Sequence, residues 1–341
     1  MSEREVEVRP PRETSVLFGH AAAEQTLLTA YRSGRMPHAW LIAGEPGIGK
    51  ATLAYRFARF VLAHPDPAAP AVAQATSLAV DPAHPVARRI AAQAEGNLLA
   101  LERVVNDDTG RLYTVIRVED VRRIVSFFGA TAAGGAWRIA LVDAVDDLNA
   151  ASANALLKVL EEPPLRALLL LVSHAPGREL PTIRSRCRRL MLRPLAPDDV
   201  TRALAAATGR AAADADLAEA AAAGGGSVGR ALSWLEGDAL ALRRRTLELM
   251  TQLPRPDPGL LHALGDMLGG TDPRPLSTFM DVVNDWLSQR RASAASLARQ
   301  ARVAEVWERL NQAARDVDIY NLERKPLVFS TFAALAELAG D

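Results

Sequence analysis

The chain is poor in cysteine, in aromatic residues and in net charge, and it holds no long apolar run. Its single cysteine, Cys187, stands among 341 residues. That excludes an intramolecular disulfide and any zinc site built on several cysteines, and it fits a reducing compartment. Forty Lys and Arg balance forty Asp and Glu. A protein that gripped nucleic acid alone would carry a basic excess, so any DNA contact is expected to be shared with partners. The apolar runs are far shorter than the roughly 20 residues of a membrane helix, and the charged start MSEREVEVRPPRE lacks a signal-peptide core. A cytoplasmic protein is expected. The length is too great for one ordinary core, and the 49% of hydrophobic residues can fill more than one.

What is present centres on residues 137–187. Residues 139–142 are an apolar run ending at Asp143, as in a buried strand that delivers a carboxylate at its C-terminal end. Leu148, Ala151, Ala155, Leu156, Val159 and Leu160 recur at helical spacing until Pro163 and Pro164 end the pattern. Residues 168–172 form a second apolar strand. Strand, helix and strand make a βαβ unit, so the sheet is parallel and ligands gather at its carboxyl edge.

Upstream, the apolar residues 38–43 run into Gly44-Glu45-Pro46-Gly47-Ile48-Gly49-Lys50, and a helical pattern continues to about residue 61. This is the strand–loop–helix setting of a phosphate loop. Its glycines turn backbone N–H groups inward, Lys50 supplies positive charge, and the helix N-terminus adds its dipole. Ala51 stands where Ser or Thr would hold magnesium. Thr52 lies one residue further on, about 100° round the helix, and substitutes poorly.

Residues 64–96 are rich in Ala, Pro and His without periodicity and read as an insertion with one short helix. A turn signal at residues 106–110, between residues 98–105 and 111–117, permits a hairpin. Val118, Val121, Ile124, Val125 and Phe128 mark a further amphipathic helix.

Three stretches, NALLK at 154–158, LEEPP at 160–164 and TIRSRC at 182–187, resemble bacterial clamp-loader ATPase subunits, AAA+ proteins that place a sliding clamp on DNA. The resemblance is sharp over residues 16–187 and diffuse afterwards. It implies an α/β fold: an AAA+ P-loop domain with a five-stranded parallel sheet (1–193), a small helical lid (194–240) and an all-α collar for oligomerisation (241–341). Gly44, Gly47, Gly49, Lys50, Thr52 and Asp143 would then line a degenerate nucleotide site. An active member carries Asp-Glu where this chain has Asp143-Ala144, so the water-activating carboxylate is absent alongside the metal-binding hydroxyl. The expectation is ATP or ADP held without hydrolysis, and no zinc.

By the same resemblance, Ser173 lies near the position that senses the γ-phosphate. Residues 16–20 would pack beside the adenine pocket, and in the 226–232 segment glycine occupies the position that aligns with a sensing arginine, with Arg230 adjacent. Arg186 would be an arginine finger reaching ATP bound by a neighbouring subunit, a task suited to a permanently charged planar fork. On spacing alone, Arg184, Arg186 and Arg188 alternate along an extended segment, and a solvated basic strand edge is the plainer reading. Cys187 reads as a small buried hydrophobe. Implied partners are gamma/tau and delta subunits in a hetero-pentamer, and through them the clamp and primer-template DNA. A gamma/tau-type motor is the alternative. Ala51, Ala144, the missing zinc cysteines and the expected lack of a long C-terminal extension weigh against it. An unrelated P-loop transferase leaves the three stretches unexplained. Beyond residue 240 only helical patterns occur, and stripes such as Val282, Val283, Trp286, Val303, Val306, Trp307 and Leu310 are core or intersubunit face.

Overall fold

A computed structural model describes residues 9–104, 113–129, 136–177, 179–270 and 272–340. The chain divides into two compact units, Val6–Leu232 and Ser233–Asp341.

The first unit runs α1 (Ala21–Arg32), β1 (Ala39–Ala43), α2 (Lys50–Ala63), α3 (Pro70–Gln74), α4 (Pro85–Ala91), β2 (Leu98–Glu102), α5 (Val118–Gly129), β3 (Arg138–Asp143), α6 (Ala150–Glu161), β4 (Ala167–Ser173), α7 (Pro181–Arg184), β5 (Arg188–Met191), α8 (Pro197–Thr208) and α9 (Ala215–Ala223). It ends in α10 (Val228–Trp234), which crosses the boundary between the units. The sheet is wholly parallel, in the order β2-β3-β4-β1-β5, with β1 between β4 and β5.

Strand periodicity explains why both faces are covered. Trp40, Ile42, Leu168, Leu170 and Val172 face one cluster with Leu27 and Tyr31 of α1 and Phe57 and Phe60 of α2. Leu41, Val142, Leu169 and Leu171, one residue out of step, face the other with Ile124 of α5 and Leu156 of α6. Alternate residues of a strand point to opposite faces, and each large apolar side chain so buried contributes about 1.5–3 kcal/mol.

Residues 64–96 form two short helices, α3 and α4, rather than one. Each begins with proline at its first turn, where the missing N–H costs nothing. Val72, Leu78, Val86 and Ile90 from this stretch join the first cluster. An internal ion pair ties it down: Arg56 Nε lies 2.6 Å from Glu24 Oε1, which also accepts from Leu78 N at 2.8 Å. The hairpin turn expected at 106–110 lies outside the described residues. Residues 113–117 form no strand, only a parallel bridge from Ile116 to Leu148.

The second unit holds α11 (Ala239–Thr251), α12 (Pro258–Met267), α13 (Pro273–Ser293), α14 (Leu297–Ile319) and α15 (Lys325–Gly340). Asp257, Asp272 and Ser296 cap the N-termini of α12, α13 and α14 by accepting first-turn amides, which fixes where each helix starts. Of the stripes expected as core or interface, Val282, Val283, Val303, Val306 and Leu310 are buried and Trp286 and Trp307 are half-buried. Asn284 and Asn311 exchange amide hydrogen bonds between α13 and α14, at 2.9 and 3.3 Å. Among the described residues no helix is long and apolar enough to cross a membrane.

Candidate functional site

The site forms at the carboxyl edge of the sheet, where β1, β3 and β4 end. The turn after β1 leads directly into α2, so residues 47–52 line one cavity of about 370 Å³. Leu17, Phe18, Ala203, Ala207 and Leu232 give that cavity an apolar wall, while Lys50, Asp143 and His174 supply its polar end. The volume falls in the ordinary range for small-molecule sites. Gly47 has φ +72°, and a Cβ there would meet Ser227 Oγ at 2.4 Å and Gly229 Cα at 3.1 Å. Only glycine fits.

Lys50 is 2% exposed, and its Nζ donates to the Glu45 carbonyl within the loop. Burial pulls its pKa down to about 8, against the attraction of Asp143, Asp146 and Glu45. Ala51 and Thr52 line the cavity beside it. At the end of β3, burial raises the Asp143 pKa, opposed by His174. The next residue, Ala144, is buried and offers a methyl group where a catalytic carboxylate would stand. His174 Nε2 sits 3.6 Å from Asp143 Oδ1, an ion-pair distance but not a hydrogen bond. Burial lowers the His174 pKa, which leaves the imidazole neutral at pH 7.

Ser173 is fully buried, and its hydroxyl donates to Asp146 Oδ1 at 3.1 Å with Glu179 Oε1 at 3.3 Å. One hydroxyl carries one proton, so this side chain is already engaged within its own chain. Asp146 also accepts the His174 amide. Glu179 accepts Gly177 N at 2.7 Å. His20 Nε2 lies 2.7 Å from the Ile48 carbonyl, which can only accept, so that nitrogen carries the proton.

The segment before and into α10 closes on the loop from the other side. Ser227 Oγ donates to the Pro46 carbonyl at 2.9 Å, and Gly229 N donates to the Gly47 carbonyl at 3.0 Å. A Cβ at Gly229 would lie 3.0 Å from Gly47 Cα. Glycine near the position of a sensing arginine therefore permits backbone-to-backbone contact.

The arginine segment differs from the extended alternation expected of it. Residues 181–184 are the short helix α7, because Pro181 pre-sets its first turn, and Arg186 lies in the turn that follows. Only Arg188 and Arg189 are in a strand, β5 at the sheet edge. Cys187 is half-buried rather than buried, and burial pushes its thiol up to about 12. Among the described residues no three His, Cys, Asp or Glu side chains are placed to share a metal ion.

Sequence reasoning singled out the loop, Asp143, Ser173 and Arg186 and missed His174, Glu179 and Ser227. His174 follows a strand-end serine, a signal that was available. Glu179 sits in a loop, and Ser227 reaches Pro46 across 181 positions of sequence, which no local pattern reveals.

A five-stranded parallel sheet with β1 flanked by β4 and β5, and a glycine loop between β1 and α2, defines the AAA+ type of P-loop fold. Within that class the chain belongs to the family described as "DNA polymerase III, delta subunit", whose model matches residues 19–196, just over half of its length. It is 37% identical over 150 residues to the DNA polymerase III subunit delta' of Pseudomonas aeruginosa, covering 44% of this chain and 41% of that one. It is 32% identical over 172 residues to the delta' subunit of Escherichia coli, covering 50% and 46%. The subunit gamma of Buchnera aphidicola matches at 27% over 190 residues, covering 56% and 47%. The matched stretch spans less than half the length of each of these relatives.

Proposed function

We propose that this chain acts as a delta-prime-type subunit of a DNA polymerase III clamp loader, helping place the sliding clamp on primed DNA without an ATPase cycle of its own. The observation that carries the reading is the pair of methyl groups at the two positions hydrolysis needs. Ala51 lines the cavity where a magnesium-binding hydroxyl belongs, and Ala144 is buried where a water-activating carboxylate belongs. Ser173, near the position expected to sense a γ-phosphate, is held by Asp146 and Glu179.

The residues present fit a nucleotide better than they fit its metal. The loop amides, Lys50 and the apolar wall with Leu17 and Phe18 suit phosphate oxygens and a purine face. A magnesium ion would find Asp143 but no hydroxyl at residue 51. ATP or ADP bound without turnover is therefore part of the proposal, with Gly44, Gly47, Gly49, Lys50, Thr52 and Asp143 around it. Gamma/tau and delta subunits would be the partners, in a hetero-pentamer joined through residues 241–341, with residues 194–240 as the lid and the cytoplasm as location. Arg186 would serve the neighbour's ATP. The gamma/tau-type motor draws on the match to a gamma subunit and on the retained Lys50, and the two methyl groups oppose it. Purified chain incubated with ATP separates the readings: steady turnover abolished by Lys50→Ala identifies a motor, whereas co-purification with loader subunits in the absence of turnover supports the delta-prime type.

A further inference from the structure

Arg186 is already gripped by its own chain. Its Nη2 donates to Glu161 Oε1 at 2.8 Å. Its Nη1 donates to the Thr182 carbonyl at 3.0 Å and lies 3.3 Å from Ser185 Oγ. Arg186 Nε makes no hydrogen bond among the described residues, so that edge of the fork stays available. Glu161 is the last residue of α6, where unpaired carbonyls form the negative end of the helix and a carboxylate is disfavoured. Lys158 is the one base in that last turn, and no ion pair joins it to Glu161 among the described residues. The partner that offsets the charge of Glu161 is Arg186, 25 positions later.

We infer that Glu161 is a positioning residue for Arg186, an inference that rests on the reading of Arg186 as a finger acting on a neighbouring subunit. A guanidinium on a flexible stem loses rotamer freedom when it meets phosphate, and that loss is smaller if its plane is fixed beforehand. Glu161 at Nη2 and the Thr182 carbonyl at Nη1 fix the plane from two sides while leaving Nε for an incoming oxygen. The stretches 160–164 and 182–187 thus form one device, the first orienting what the second presents. Glu161 touches no substrate and acts through Arg186 alone.

The test is clamp- and DNA-stimulated ATP turnover by a loader reconstituted from the full chain and its companion subunits. This chain alone carries Glu161→Ala, Glu161→Gln, Arg186→Ala, or Glu161→Ala together with Arg186→Ala. Glu161→Ala lowers kcat on the order of two- to fivefold, the scale of an exposed ion pair, and leaves KM for ATP unchanged. Glu161→Gln keeps an acceptor oxygen and recovers part of the loss. Once Arg186→Ala is present, Glu161→Ala adds nothing. Equal or faster turnover with Glu161→Ala, beside a loss with Arg186→Ala, overturns the positioning role and leaves the finger standing. An equal loss in the Arg186→Ala background overturns it as well, because Glu161 then acts elsewhere. Unchanged turnover with Arg186→Ala overturns the finger reading and the positioning role with it.

Discussion

Gly47→Ala should destabilise the first unit by about 3 kcal/mol, assembled from separate causes. The residue has φ +72°, and a left-handed conformation costs an L residue roughly 1–2 kcal/mol. The new Cβ would stand 2.4 Å from Ser227 Oγ. Ser227 must therefore swing away from the Pro46 carbonyl, losing a hydrogen bond worth about 1 kcal/mol net. Gly229 Cα and N, at 3.1 Å, are backbone atoms and can yield only by moving the start of α10, which weakens the bond from Gly229 N to the Gly47 carbonyl. Gly34→Ala is the internal control: its φ is +67°, yet nothing lies within 4 Å of its added Cβ. It should show the backbone strain alone, about 1–2 kcal/mol. In thermal unfolding followed by calorimetry, about 3 kcal/mol corresponds to a fall of roughly 6–12 °C for a domain of this size, and the control to about one to two thirds of that. Adding Ser227→Ala to Gly47→Ala removes the clashing oxygen, so the two effects should fall short of additive. Equal Tm losses for Gly47→Ala and Gly34→Ala would refute the close packing of the loop against Ser227 and Gly229.

Other perturbations have outcomes of known sign. Glu24→Ala leaves Arg56 buried without its carboxylate and should cost about 3–5 kcal/mol in denaturant unfolding. Burial depresses the folded-state pKa of Lys50 to about 8 from 10.5, so the unfolded chain holds that proton more tightly. Its destabilisation is therefore complete below pH 8 and is relieved as pH rises toward 10.5, by about 3 kcal/mol at most. Lys50→Met should flatten that rise when stability is compared up to about pH 10, where tyrosines begin to titrate. Asn284→Leu leaves the Asn311 amide half-satisfied between α13 and α14 and should cost about 1–3 kcal/mol, read from the unfolding midpoint of the helical unit.

The sheet and the loop were legible because their signals are local. A run such as residues 168–172 has no polar residue to place in water, and glycines followed by Lys50 between a strand and a helix have few other uses. Pro163 and Pro164 marked the end of α6 within a few residues. Expectation failed where periodicity was trusted over punctuation. Alternating arginines suggested a strand at 184–188, but Pro181 had already started a helical turn. Pro70 and Pro85 start two helices in a stretch that reads as an insertion with one short helix. At the site, the missing hydroxyl at Ala51 and the missing carboxylate at Ala144 were visible in the chain itself. The occupation of Ser173 by Asp146 and Glu179, and of the Pro46 and Gly47 carbonyls by Ser227 and Gly229, depends on contacts made only after folding.

The proposed role is that of a subunit that hydrolyses nothing itself and completes a neighbour's site. The measurement that tests this most directly is ATP turnover by a reconstituted loader carrying Arg186→Ala in this chain only, with assembly verified by gel filtration. Arginine fingers are worth on the order of 10³–10⁵ in rate where they act alone, and any ATP site of the proposed complex that does not face this chain would stay intact. The proposed finger role of Arg186 predicts intact assembly with loss of the turnover belonging to the site beside this chain, and poor rescue by Arg186→Lys, whose point charge lacks the planar fork. Full turnover and full clamp loading with Arg186→Ala would contradict it.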